Sequence, residues 1–151
     1  MGNNNIAIII VNWKKYELTT NCLLSLEKLE YKNFKVVLVD NEYNFEKINK
    51  IKNDFNKVEV IECKKNLGFV SANNIGIKYA IKNKFKHVML LNNDTEVKKD
   101  FLPPLLNSFQ NDNSLGAVQP LIMNYNKAKV WNAGGYLNNF FGFPYTNKKL
   151  N

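Results

Sequence analysis

Short, continuously apolar runs alternate with longer amphipathic ones along this chain. "IAIIIVNW" (6–13) is β-branched and apolar throughout, the pattern of a parallel strand buried on both faces. "ELTTNCLLSLEKLE" (17–30) then sets Leu18, Cys22, Leu26 and Leu29 at helical spacing on one face. "FKVVLVDN" (34–41) predicts a second strand, followed by a polar helix over 45–55 and an alternating third strand, "KVEVIEC" (57–63), nearer a sheet edge. In "FVSANNIGIKYAIKN" (69–83), Ala72, Ile75, Gly76 and Tyr79 repeat as a helix face does. "HVMLLN" (87–92) predicts a buried, central fourth strand. A helix around 99–110 follows, with Pro103 and Pro104 tolerable only in its first turn. "SLGAVQPLIM" (114–123) reads as a fifth strand interrupted by Pro120.

Strand–helix alternation with buried strands defines an α/β fold: three layers around a doubly wound, mostly parallel sheet, in the order 3-2-1-4 for the first four strands. The 151 residues show no repeat or linker and are expected to form a single domain. In such sheets ligands bind beyond the carboxyl ends of the strands, where the strand order reverses. Strand one ends in Val11-Asn12-Trp13, strand two in Asp40-Asn41 and strand four in Asn92-Asn93-Asp94. All three ends open on the same side, bringing two carboxylates and an aromatic ring together. Taken singly, Asn-Asn-Asp is a routine turn composition and Asp40-Asn41 a routine helix cap. Their coincidence at strand ends is what points to a ligand.

Composition narrows the classes. An apolar content of 45% excludes wholesale disorder, and no run reaches the ~18 apolar residues that suggest a membrane span. "MGNNNIAIIIVNW" lacks a basic leader and a small-residue cleavage site, and Ile6 stands where myristoylation of Gly2 would want Ser or Thr, so this segment reads as a first strand. Cys22 and Cys63 show no metal-ligand spacing and are expected as buried free thiols in a reducing compartment; the lone His87 is expected to be structural. The charge is +8, carried by 21 lysines and no arginine. The lysines are scattered rather than gathered into a basic run, so no nucleic-acid partner is expected. A positive field would attract a phosphorylated substrate or an anionic membrane surface.

A carboxylate at a strand end suits a base N–H or a ribose hydroxyl, which is the expectation for Asp40. A second carboxylate, beside amide side chains, suits a hard divalent cation, and Asp94 is placed for it. No G-x-G-x-x-G follows strand one, and "GFVSANNIG" is not a G-x-x-x-x-G-K-[ST] loop. Without arginine, a metal, lysines and backbone N–H groups must hold any phosphate.

The ordered set "IIIVNWKKYELTTNCLLSL", "VVLVDNEYN", "NLGFVSANNIGIKYA", "VMLLNNDTEV" and "WNAGGYLNNFFG" resembles the family 2 inverting glycosyltransferases, nearest their rhamnosyltransferase-like branch, over residues 6–143. The resemblance implies a GT-A nucleotide-sugar-binding domain. It implies that Asp40 contacts the donor base and that Val11 and Trp13 lie against the nucleoside. Asn92-Asn93-Asp94 would occupy the family's D-x-D site, with Asp94 ligating a Mg²⁺ or Mn²⁺ that bridges the diphosphate. The implied donor-binding residues also include Asn73, Asn92 and Asn93; Asn92 departs from the acid usual at the first position, and Asn73 stands where many relatives carry Arg. Trp131 and Gly134-Gly135 match a segment after the metal site, without an assigned role. The implied partners are a nucleoside diphosphate sugar and a saccharide or lipid-linked acceptor, handled in the cytoplasm with peripheral association at the inner membrane face. The general base is an Asp or Glu further along in relatives. Here the last acid is Asp112, so this stretch is expected to end before the base and to bind donor without completing transfer. Two other classes are weighed: a nucleotidyltransferase, disfavoured because "VNWKKYE" has no glycine, and a basic nucleic-acid-binding module.

Overall fold

The computed structural model describes residues 6–126, 129–137 and 144–146, and the chain divides into two compact units, Met1–Asp100 and Phe101–Asn151. In the first unit β1 (Ile6–Asn12), α1 (Tyr16–Glu27), β2 (Phe34–Asp40), α2 (Phe45–Asp54), β3 (Glu59–Glu62), α3 (Phe69–Lys82) and β4 (His87–Asn92) follow one another. The four strands pair in parallel in the order β3-β2-β1-β4, as the alternation predicted. β1 lies inside the sheet with Ala7 to Ile10 fully buried, which explains why it reads as an unbroken apolar run.

Side chains alternate across a strand, so the two faces of β1 meet different helices. α3 covers the face of Ile9 and Val11, packing Ala72, Ile75 and Tyr79 with Val37, Val39 and Cys63. α1 lies on the other face, where Thr19 meets Asn12. α3 approaches closely because residue 76 has no side chain: a Cβ built there would lie 2.5 Å from Ile9 Cγ2. Gly76→Ala is therefore expected to destabilise the protein by about 1–3 kcal/mol. A thermal melt reads this as a fall of roughly 2–4 °C per kcal/mol; an unchanged midpoint would contradict the close contact.

Several expectations shift in detail. α1 ends at Glu27, and its buried face is Tyr16, Thr19, Cys22, Leu23, Ser25 and Leu26, leaving Leu18 40% exposed. Polar Thr19 and Ser25 turn inward because each makes a hydrogen bond there. β4 is an edge strand of the described sheet rather than a central one. Its Val88 and Leu90 are 41% and 53% exposed, since α3 packs chiefly over β1 and β2. Cys22 and Cys63 are buried free thiols. Burial, then Asp94 and Glu96, pushes the Cys22 thiol up to about 12, so it stays protonated and meets the Asn92 carbonyl at 3.8 Å.

In the second unit α4 (Leu102–Asn111) carries its prolines in the first turn, as required. The predicted fifth strand shrinks to β5 (Ile122–Met123), paired antiparallel with β6 (Val130–Asn132). Pro120 has no N–H to give a ladder, so the segment before it cannot pair along its length. β7 (Gly135–Leu137) pairs antiparallel with β8 (Pro144–Thr146). Trp131 lies in β6 and is 66% exposed, and Gly134 takes φ +94°. The rest of the "WNAGGYLNNFFG" stretch, 138–142, falls outside the described residues.

Candidate functional site

Beyond the carboxyl ends of the strands, the first unit holds a cavity of about 510 Å³ lined by Val11, Trp13, Asn41, Asn66, Gly68, Phe69, Asn92, Asn93 and Asp94. Each strand delivers part of it: Val11 near the end of β1, Asn41 just after β2, Asn66 and Gly68 after β3, and Asn92 at the end of β4. Five residues expected from the sequence thus line it: Val11, Trp13, Asn92, Asn93 and Asp94.

Trp13 is half exposed, and the Lys14 ammonium lies 5.1 Å from its ring centroid. Lys14 itself takes φ +62°, a sparsely populated conformation for a residue with a Cβ, and its N–H donates to the Glu42 carboxylate at 3.1 Å. That bond fixes the turn on which Trp13 is presented.

Asp40 is placed differently from the expectation. It is fully buried beneath the cavity and is absent from its wall. Its Oδ1 accepts from Asn12 Nδ2 and from the Tyr16 hydroxyl, both at 2.9 Å, while Oδ2 is buried without a hydrogen bond among the described residues. Burial first, then the hydrogen bond to Asp40, raises the Tyr16 pKa well above that of a free tyrosine, keeping it a donor. Asp40 is drawn inward because two buried donors converge on it. The residue after it, Asn41, reaches the cavity instead.

Asn41 also shapes the wall. Its Nδ2 donates to Asn66 Oδ1 at 2.8 Å, and its Oδ1 accepts from the Leu67 N–H at 2.9 Å. Asn66 Oδ1 accepts in turn from the Gly68 N–H at 2.8 Å. Gly68 holds φ +80° and ψ 164°, a region open almost only to glycine, and turns the chain into α3. "NLG" is thus the clasp that sets the loop against the end of β2. Asn73, expected at the donor, is also buried away from the cavity; its Nδ2 bonds the Phe69 carbonyl one helical turn back at 2.9 Å. His87 starts β4, at the opposite end of that strand from Asn92.

The lining residues missed in the sequence are Asn41, Asn66, Gly68 and Phe69. Asn41 stands directly after Asp40 at the end of β2, whereas Asn66 lies four residues past the end of β3, beyond the reach of the strand-end rule.

A parallel sheet in this order, with an aromatic, amides and a carboxylate gathered at its carboxyl end, defines an α/β domain with a ligand site at the strand ends. Residues 7–150 match glycosyl transferase family 2, and the chain belongs to that family. It is 30% identical over 112 residues to the dTDP-rhamnosyl transferase RfbF of Shigella flexneri, a match covering 74% of this chain and 37% of that protein. Residues 1–349 of S. aureus TarS give a TM-score of 0.62 at 20% identity, covering 76% of this chain and 38% of that one. Mannosyltransferase PcManGT from Pyrobaculum calidifontis, in complex with GDP-Man and Mn²⁺, gives 0.65 at 16% identity, covering 80% and 36%. These likenesses establish the GT-A fold. The chain spans little more than a third of each of these relatives.

Proposed function

We propose that this chain forms the donor-binding part of an inverting glycosyltransferase that takes a nucleoside diphosphate sugar together with Mg²⁺ or Mn²⁺. The observation that carries this reading is the presence of Trp13 and Asp94 on the wall of one cavity at the carboxyl end of the sheet. Trp13 offers a ring face to the nucleobase, with Val11 as an apolar floor, and Asn92 offers its amide to the ribose.

The donor set fits a hard divalent cation. Among the described residues no group of three His, Cys, Asp or Glu side chains stands together, so the protein offers one carboxylate with amide neighbours. Magnesium commonly takes one or two protein carboxylates, leaving phosphate oxygens and water to complete its shell. Bound there, the cation would neutralise charge on the departing diphosphate. The acceptor hydroxyl would attack the anomeric carbon from the opposite side and lose its proton to a base. Among the described residues Asp94 is the one acid lining the cavity, and this reading reserves it for the cation and takes the base from outside that lining.

In this reading the acceptor is a saccharide or lipid-linked saccharide of cell-surface polysaccharide synthesis, met on the cytoplasmic side. The +8 charge favours anionic donors and peripheral contact with an anionic membrane. No described helix is long and apolar enough to cross one.

The relatives and neighbours carry dTDP, UDP or GDP in their names, which sets the test. Thermal melts with dTDP, UDP and GDP, each with and without Mn²⁺, should show a metal-dependent rise for at least one nucleotide. A flat response to all three, alongside salt-sensitive binding of nucleic acid, would leave the basic binding module as the better reading.

A further inference from the structure

A buried hydrogen-bond chain runs beneath the cavity from the end of β2 to the end of β4. Asp40 Oδ1 accepts from Asn12 Nδ2 at 2.9 Å. Asn12 Oδ1 accepts from the Thr19 hydroxyl at 2.9 Å. Thr19 Oγ1 accepts from Asn93 Nδ2 at 3.0 Å. Asn12, Thr19 and Asp40 are each fully buried, and Asn93 is the member that emerges on the cavity wall.

The direction of every bond in this chain follows from its first member. Asn12 gives its NH₂ to Asp40 Oδ1 and so keeps its amide oxygen for Thr19. A hydroxyl has a single hydrogen. The Asn12 oxygen at 2.9 Å and the Lys15 carbonyl at 3.1 Å compete for it, so none is left for Asn93. Thr19 then has only lone pairs to offer Asn93, which must meet it with NH₂. The amide orientation at the cavity is thereby set by the network instead of by the similar shapes of the amide nitrogen and oxygen.

We infer that Thr19 is a positioning residue that holds the Asn93 carbonyl oxygen toward the cavity beside Asp94, as a second, neutral oxygen donor to the divalent cation. The inference rests on the reading that a cation binds at Asp94. It accounts for how a site with Asn at its first position supplies more than one oxygen. Were Asn93 turned over, its NH₂ would face the cation and repel it.

Mn²⁺ titration followed by electron paramagnetic resonance, in the presence of the nucleoside diphosphate that responds in the melts, reads the claim without sugar transfer. Thr19→Val, which keeps shape and loses the hydroxyl, should weaken Mn²⁺ binding about tenfold or more, the usual effect of removing a residue that orients a ligand. Thr19→Ser should restore it. Nucleotide affinity without Mn²⁺ should be alike in the wild type and both variants. Unchanged Mn²⁺ affinity in Thr19→Val overturns the inference, as does an equal loss of metal-free nucleotide binding. Should Thr19→Val not fold, Asn93→Ala decides: a roughly tenfold loss of Mn²⁺ affinity supports the inference, and no loss overturns it. If Asp94→Ala abolishes Mn²⁺ binding while these variants keep it, only the role of Thr19 and Asn93 fails. If Asp94→Ala leaves Mn²⁺ binding intact, the donor-site reading fails with it.

Discussion

Asp94→Ala should abolish the Mn²⁺-dependent part of nucleotide stabilisation and leave the fold as it is. Asp94 is exposed on the cavity wall, and substitutions at such positions usually change stability by only about 0.5 kcal/mol. The lost ligand effect is larger. A ligand present at a hundred times its Kd stabilises by about 2.7 kcal/mol, which is several degrees in a melt of a chain this long. Asp94→Asn keeps one oxygen without the charge and should retain a fraction of the effect. The measurement is the same nucleotide and Mn²⁺ melt, with circular dichroism to confirm the fold. A variant that still responds fully to Mn²⁺ would move the metal away from Asp94.

Asp40→Ala is expected to act first on stability. It leaves the Asn12 amide and the Tyr16 hydroxyl without their shared acceptor in a buried place. Each unsatisfied buried donor costs about 1–3 kcal/mol. Together they approach a sizeable share of the roughly 5–15 kcal/mol that holds a domain folded. Asp40→Asn keeps an oxygen for both donors and places its NH₂ where Oδ2 has no hydrogen bond, so its loss should be smaller. Urea denaturation separates the two by midpoint at constant slope. Equal midpoints for Asp40→Ala and wild type would remove Asp40 from its role as anchor. The contrast between the two aspartates follows from depth alone: both end a strand, but one lies under the cavity and the other on it.

Much of the fold was legible because its signals are local. The unbroken run Ile6–Val11 announces a strand covered on both faces, and the spacing of Ala72, Gly76 and Tyr79 announces a helix against it. Right-handed crossovers between such elements leave few orders open, and 3-2-1-4 is the one found. β4 was read less well. Val88 and Leu90 are as apolar as a central strand demands, yet their exposure depends on how far α3 extends across the sheet, which no residue of β4 encodes. The shortened β5 failed for a chemical reason, since Pro120 breaks the ladder that its apolar neighbours suggest.

The site divides along the same line. Composition and strand-end position were enough to pick out Val11, Trp13, Asn92, Asn93 and Asp94, because leaving a parallel strand at its carboxyl end already fixes which side of the sheet a residue serves. Depth was not available from that rule. Whether Asp40 or Asn41 faces the cavity depends on Asn12 and Tyr16, which come from β1 and α1 and meet only when the sheet and helix pack. The same holds for Thr19, a polar residue that the helical pattern left unremarked beside its apolar neighbours. Its contact with Asn93 joins residues 74 positions apart. Local periodicity carries information about which face is buried, whereas a hydrogen bond between distant segments exists only once packing has brought its donor and acceptor together.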